Sequence, residues 1–205
     1  MEPYLNDLRD TAGSGTQIVE LGSTVPDVCL PGSTVADPHW WNSPMAMKRA
    51  ARHLRTVLAQ AAPEQKETFT DGMRRYCAQM DTLIREAKLA IASIAPERRV
   101  IVSSHASMCH FCKDFGFIAL PVHGIAHECE GDTASLAHML HHLREHKVPC
   151  IFIGVNESPR AMQVIASQVG ATTQPLVQDG IHPESSGYAD MFRFNIRNIV
   201  KGLNR

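Results

Sequence analysis

Three polar residues are of types that bind borderline transition metals: His39, inside VADPHWWNSP at residues 35 to 44; His105, at the end of RVIVSSH; and Asp179, in VQDG. Two imidazoles and a carboxylate are a workable part of a divalent transition-metal site, because each offers a lone pair once deprotonated. Each also has a plainer reading. His39, between Pro38 and the pair Trp40 and Trp41, can be an aromatic corner that packs the end of a loop. His105 can cap a helix, and Asp179, with Gly180 behind it, can shape a turn. No local spacing signature ties the three together, so the metal reading depends on the fold bringing them to one place.

Other groups compete for attention. Cys109 and Cys112 form a C-x-x-C pair just after His105, a spacing used by redox dithiols and by halves of zinc sites. No second pair exists to complete a structural zinc site, and Met108, Phe111, Cys112 and Phe115 fit one apolar helix face, so Cys112 reads first as a small core residue. The loop with His123, His127, Glu128, Cys129, Glu130 and Asp132 could gather metal loosely. Glu157, in GVNESP, either faces the same cleft as Asp179 or caps the helix that starts near Pro159. A phosphate-cradling glycine loop, a G-x-S-x-G elbow and an H-E-x-x-H pair are all absent, which removes the commonest enzyme signatures. Three alternatives stay open: a hydrolase whose open zinc site activates water with Glu157 or Glu130 as base, a thiol-redox protein built on Cys109 and Cys112, and a relic of the fold that binds nothing specifically.

The elements that must position these residues are legible as periodicity. Residues 4 to 12 suggest a short helix and TQIVEL at 16 to 21 a strand, followed by a Pro- and Gly-rich loop. Ser43 and Pro44 are an N-cap and a first-turn proline, and the residues after them are apolar at 47, 50, 51, 54, 57, 58 and 61, which is helical spacing. A second, longer helix is expected from Glu64 to about Ala95, long enough to bridge two lobes as a stiff rod. From Arg99 onward short apolar runs alternate with helices: RVIVSS, a helix near 107 to 115, FIALPV, a helix near 133 to 146, CIFIGV, a helix near 159 to 169, ATTQPLV, and a helix near 187 to 203. That alternation predicts βαβ units and a mostly parallel sheet. In such sheets ligands bind beyond the carboxyl ends of strands, where His105, Glu157 and Asp179 would all fall. The expected fold class is therefore α/β.

Bulk composition narrows the partners. The chain has 205 residues, 44% hydrophobic, with Lys+Arg 20 against Asp+Glu 21 and a formal charge of -1. No basic block stands out, so a nucleic-acid partner is not expected. No run has the roughly 18–20 apolar residues of a membrane span, and MEPYLNDLRDTAGSG lacks the basic and apolar regions of a signal peptide. Of the eleven histidines, His141, His142 and His146 read as the solvent face of a helix. Six cysteines are too sparse for a disulfide scaffold.

These residues also line up with a family. DPHWWNSP resembles the DPHxWxxP segment of the metal-specific solute-binding proteins of bacterial ABC importers for zinc, manganese or iron, in which that histidine coordinates the metal. RVIVSSHASMCHFCKDFGF is similar to the family's strand, S-H ligand and aromatic helix. NESPRAMQVIASQVG and PLVQDGIHPESSGYADMFRFNIRNIVKGL resemble its closing segments, with an aspartate ligand after the strand and a terminal Y-x-x-M-x-x-x-N helix. The resemblance implies that His39, His105 and Asp179 are metal ligands and, because residue 105 is a histidine rather than a glutamate, that the metal is zinc, or zinc and iron, rather than manganese, with zinc first. It further implies a binding protein rather than an enzyme, a periplasmic or membrane-anchored extracytoplasmic location, and an ABC importer permease as partner. MEPYLNDLRDTAG resembles the family's L-E-P-W-L segment, so residues 1 to 43 are expected to be the remnant of a truncated N-terminal lobe lacking the leader, the first strands and a first histidine ligand. Residues 44 to 97 would then be the helical linker with the long backbone helix, and 98 to 205 the C-terminal α/β lobe.

Overall fold

The computed structural model describes residues 11, 17–30, 33–122, 140–141, 143–145, 147–180 and 187–204. All but residue 11 of the expected helix at 4 to 12, most of that at 133 to 146 and the polar loop from His123 to Asp132 lie outside the described residues. The centre of the molecule is a four-stranded sheet made of β1 (Val100–Ser103), β2 (Ile118–Pro121), β3 (Cys150–Gly154) and β4 (Thr172–Leu176), in the order β2-β1-β3-β4. Every pairing is parallel, with Val100 opposite Ile118, Ser103 opposite Phe152, and Cys150 opposite Thr172. The unbroken apolar run CIFIG is buried at every position, as a central parallel strand covered on both faces requires. After β2 the chain crosses back over β1 to place β3 on its other side. The switch point of this doubly wound sheet therefore lies between β1 and β3, where a crevice opens beyond their carboxyl ends.

Two apolar layers close the sheet. On one face Met80, Leu83, Ala87, Ile91 and Ile94 pack with Phe111, Phe115, Phe152, Phe192 and Ile199. On the other, Val102, Ile151 and Ile153 pack with Leu143, Met162 and Ile165. Each Val, Leu, Ile, Phe or Met side chain among them that is fully removed from water contributes about 1.5–3 kcal/mol. The first layer is supplied by α2 (Lys66–Ile91), α3 (Cys109–Phe115) and α5 (Tyr188–Leu203), the second by α4 (Arg160–Val169). The remaining helix, α1 (Pro44–Ala61), begins as its sequence predicts: the Ser43 hydroxyl accepts the Ala46 N–H at 2.9 Å and Pro44 occupies the first turn. The rod expected from Glu64 is a short 3-10 turn at Pro63–Gln65 followed by the 26 residues of α2, about 39 Å long. Its first half faces α1 and its second half lies in the core under the sheet.

The strand expected at 16 to 21 is not formed. Residues 17–20 are irregular, and Leu21–Thr24 is a 3-10 turn against α1. A β-strand needs a neighbour for its N–H and C=O groups, and none lies beside this run among the described residues.

Candidate metal centre

Each of the three chain segments that converge at the crevice is held by its own polar anchor. His105 follows β1 directly, and the chain turns there because the Ser103 hydroxyl donates to the His105 carbonyl at 2.8 Å and the Ser107 N–H donates to it at 3.1 Å. Asp179 lies three residues past β4. Asn195 on α5 mimics a neighbouring strand for the residues between, its Oδ1 accepting the Val177 N–H at 2.8 Å and its Nδ2 donating to the Val177 carbonyl at 2.7 Å. His39 sits on the loop before α1, and Asp37 organises that loop: one carboxylate oxygen accepts the His39 N–H at 2.9 Å and contacts His39 Nδ1 at 2.7 Å, while the other accepts the Cys109 N–H at 2.9 Å. Asn42 then ties all three segments together, donating to the Ser107 carbonyl at 2.8 Å and the Gln178 carbonyl at 3.0 Å. Trp41 adds a 3.1 Å bond to the same Gln178 carbonyl.

The result brings His39, His105 and Asp179 together, one ligating atom from each lying within 4.8 Å of the others. His39 Nε2 is 3.7 Å from one Asp179 oxygen and His105 Nε2 is 3.4 Å from the other. Ligands about 2.0–2.1 Å from a tetrahedral zinc stand about 3.3 Å apart, so the two contacts to Asp179 need only a small contraction around an ion. Both imidazoles are buried, whereas the Asp179 side chain is 51% exposed, which leaves the cluster open to solvent on one side. An ionised carboxylate only accepts hydrogen bonds. Asp37 against Nδ1 of His39, and Glu157 against Nδ1 of His105 at 2.9 Å, therefore keep protons on the Nδ1 atoms and turn both Nε2 atoms toward Asp179.

The electrostatics follow from this crowding. Hydrogen bonding to Asp179, then to Glu157, raises the His105 pKa from 6.5 to about 9, although burial opposes the shift. The same bond to His105 holds the Asp179 carboxyl below its ordinary value. Burial pushes Glu157 and Asp37 upward, but hydrogen bonds from His105 and Ser104 to the first, and from His39 and the Cys109 N–H to the second, outweigh it and leave both lowered.

Glu157 does not cap a helix: α4 has Pro159 at its N-cap position with no side-chain cap bond. Its carboxylate instead accepts from His105 and from the Ser104 hydroxyl. Cys109 and Cys112 lie buried in α3, and burial, followed by the negative charge of Asp37 for Cys109 and of the neighbouring Cys109 for Cys112, pushes the first thiol up to about 12 and the second well above its ordinary value. A nucleophilic or redox-active thiol needs the opposite. His141 is exposed and pairs with Glu145 at 3.3 Å one helical turn on, as its solvent-face reading predicts. Sequence reasoning passed over Asn42, Ser104 and Asn195 as anchors. Asp37 did carry a signal, the D-x-H spacing that lets a carboxylate reach the imidazole two residues later.

A parallel sheet whose switch point gathers two imidazoles and a carboxylate has the side chains to hold a divalent cation. The chain belongs to the family described as zinc-uptake complex component A, periplasmic, whose model matches residues 1–202. It is 24% identical over 176 residues to the high-affinity zinc uptake system protein ZnuA of Bacillus subtilis, covering 83% of this chain and 54% of that protein. It is 26% identical over 175 residues to the manganese ABC transporter substrate-binding lipoprotein PsaA of Streptococcus pneumoniae, covering 82% and 56%. The iron-binding protein YfeA of Yersinia pestis matches at 24%, over 100% of this chain and 66% of its own length. In fold, the chain superposes on the periplasmic zinc-binding protein TroA of Treponema pallidum with a TM-score of 0.87 at 21% identity, covering 100% of this chain and 78% of that one. A zinc-bound ZnuA deletion mutant gives 0.84 at 20% identity, with coverage of 100% and 75%. The chain thus spans about half the length of the first two relatives, 54% and 56%. These relatives are metal-uptake, metal-transport or metal-binding proteins.

Proposed function

We propose that this chain captures a divalent transition metal, zinc foremost, between His39, His105 and Asp179, for delivery to the permease of an ABC importer outside the cytoplasmic membrane. The observation that carries the reading is the convergence of both Nε2 atoms on one carboxylate, each imidazole backed on its other nitrogen by a second carboxylate. Two imidazoles and one carboxylate suit zinc, with manganese and iron as weaker alternatives that prefer more oxygen. The exposed side of Asp179 is where a fourth ligand, water or a side chain, completes the tetrahedron. Delivery fits the same feature, because a cation held at the mouth of a crevice leaves along the path by which it entered.

The test is titration of metal-free protein with zinc, manganese and iron, comparing the wild type with His39→Ala, His105→Ala and Asp179→Ala. Each variant is expected to lose at least tenfold in zinc affinity. Unchanged affinity in all three refutes the site.

A further inference from the structure

We propose that Glu157 is a positioning residue of this centre, which holds His105 as the Nδ1–H tautomer with Nε2 turned to the cation and thereby raises both zinc affinity and the preference for zinc over manganese. The inference rests on the metal-capture reading above. Glu157 touches no ligating atom; it acts through His105.

Its placement is built from both sides of the sheet's switch point. The Glu157 N–H donates to the Gly154 carbonyl at 3.0 Å, closing a turn directly after β3. From that turn one carboxylate oxygen meets His105 Nδ1 at 2.9 Å and the other accepts the Ser104 hydroxyl, so both oxygens are engaged by residues at the end of β1. The side chain is only 17% exposed, although its loop lies at the surface. Space for it depends on the absence of a side chain at residue 154. A Cβ there would fall 2.8 Å from Glu157 Cδ and 2.8 Å from Gln178 Oε1, inside van der Waals contact.

An imidazole without such a partner shares its proton between two nitrogens and can turn over, so a fraction of the protein presents the wrong atom to the cation. Outer carboxylates that settle this choice are worth about 10–100-fold in metal affinity, because they also raise the donor strength of the ligating nitrogen. Zinc depends on imidazole donation more than manganese does. Loss of Glu157 therefore costs zinc more than manganese, whereas a general loosening of the crevice costs both alike.

The experiment measures zinc and manganese affinity by chelator competition for metal-free wild type, Glu157→Gln, Glu157→Ala, Gly154→Ala and His105→Ala. Nitrogen-15 spectra of histidine in the metal-free proteins at alkaline pH, where the ring is neutral and no zinc occupies Nε2, give the tautomer directly. Glu157→Gln keeps the size and one acceptor but no charge, and is expected to lose about tenfold for zinc, with Glu157→Ala nearer 100-fold. Gly154→Ala keeps the carboxylate but displaces it, and is expected to fall between them. In each, the zinc-to-manganese ratio drops and the single Nδ1–H signal of His105 gives way to exchanging forms. Should Glu157→Ala fail to fold, the isosteric Glu157→Gln carries the test. Zinc affinity within twofold of wild type in both Glu157 variants, or equal losses for zinc and manganese with the tautomer unchanged, overturns the proposal. If His105→Ala loses zinc while the Glu157 variants keep it, only the role of Glu157 falls; if His105→Ala keeps zinc, the capture reading falls with it.

Discussion

Replacing Asp37 with asparagine tests how the crevice is held together. Asp37 is 3% exposed and its carboxylate meets three nitrogens: the His39 N–H, His39 Nδ1 and the Cys109 N–H. It thus joins the loop before α1 to the start of α3, and it orients one imidazole. Asparagine has a single acceptor oxygen. Whichever way its amide turns, at least one of these donors faces an NH2 group and the charge that strengthened the others is gone. One charged hydrogen bond is worth about 1.5–3 kcal/mol and an orphaned buried donor costs about 1–3 kcal/mol, so a net loss of about 3 kcal/mol is expected. At about 2–4 °C per kcal/mol for a chain of this size, the metal-free protein should melt about 6–12 °C lower. Zinc affinity should fall about 10–100-fold through the freed His39 ring. A carboxyl held below its ordinary 3.8 stabilises the fold above that pH and loses the contribution as pH falls through the lowered value, so wild type and variant should converge in acid. Differential scanning calorimetry from pH 7 to pH 3, with zinc titration at pH 7, measures all three effects. A variant with unchanged melting temperature and zinc affinity within twofold would refute the role assigned to Asp37.

Asn195→Ala leaves the N–H and carbonyl of fully buried Val177 without partners, which should cost about 2–4 kcal/mol and weaken zinc binding by letting Asp179 drift; a lower melting temperature with zinc affinity unchanged well below it would make Asn195 an anchor of the fold alone. The folded pKa of His105 is raised from 6.5 to about 9, so in metal-free protein its stabilising contribution is complete below pH 6.5 and is lost as pH rises through about 9. Melting temperature should fall over that window in wild type more than in His105→Ala, and zinc uptake near pH 7.5 should release close to one proton, read by calorimetry in buffers of different ionisation enthalpy. A thiol reagent at pH 8 should modify exposed Cys29 quickly while buried Cys109 and Cys112 stay protected until unfolding; prompt modification of either in native protein would reopen the redox reading.

The C-terminal half of the fold was legible because its signals are local. Runs such as CIFIGV and helices with apolar residues every three or four positions declare their type within a few residues, and Ser43-Pro44 marks a helix start unaided. The rod ending at Ile91 rather than Ala95 differs only at a frayed boundary, where Ile94 closes a turn onto Ile91 at 2.9 Å. The run TQIVEL misled because its composition suits a strand while pairing depends on a neighbour elsewhere in the chain. Asn42 and Asn195 could not have been found by inspection, since an asparagine that bonds distant backbone looks like any loop or helix-surface asparagine.

By itself the sequence determined the kinds of groups available and put two of them, His105 and Asp179, just past strand ends that a parallel α/β chain brings to one edge of its sheet, with His39 on a loop before a helix. It left His39 between ligand and packing corner, and Glu157 between cleft and cap. Only the tertiary structure decided that both imidazoles point Nε2 at one carboxylate: Asp37 sets the His39 ring locally, but Glu157 sets the His105 ring through a hydrogen bond whose geometry depends on strand order. The separation of His105 and Glu157, 52 residues apart in the chain, collapses to 2.9 Å because β1 and β3 are neighbours across the switch point.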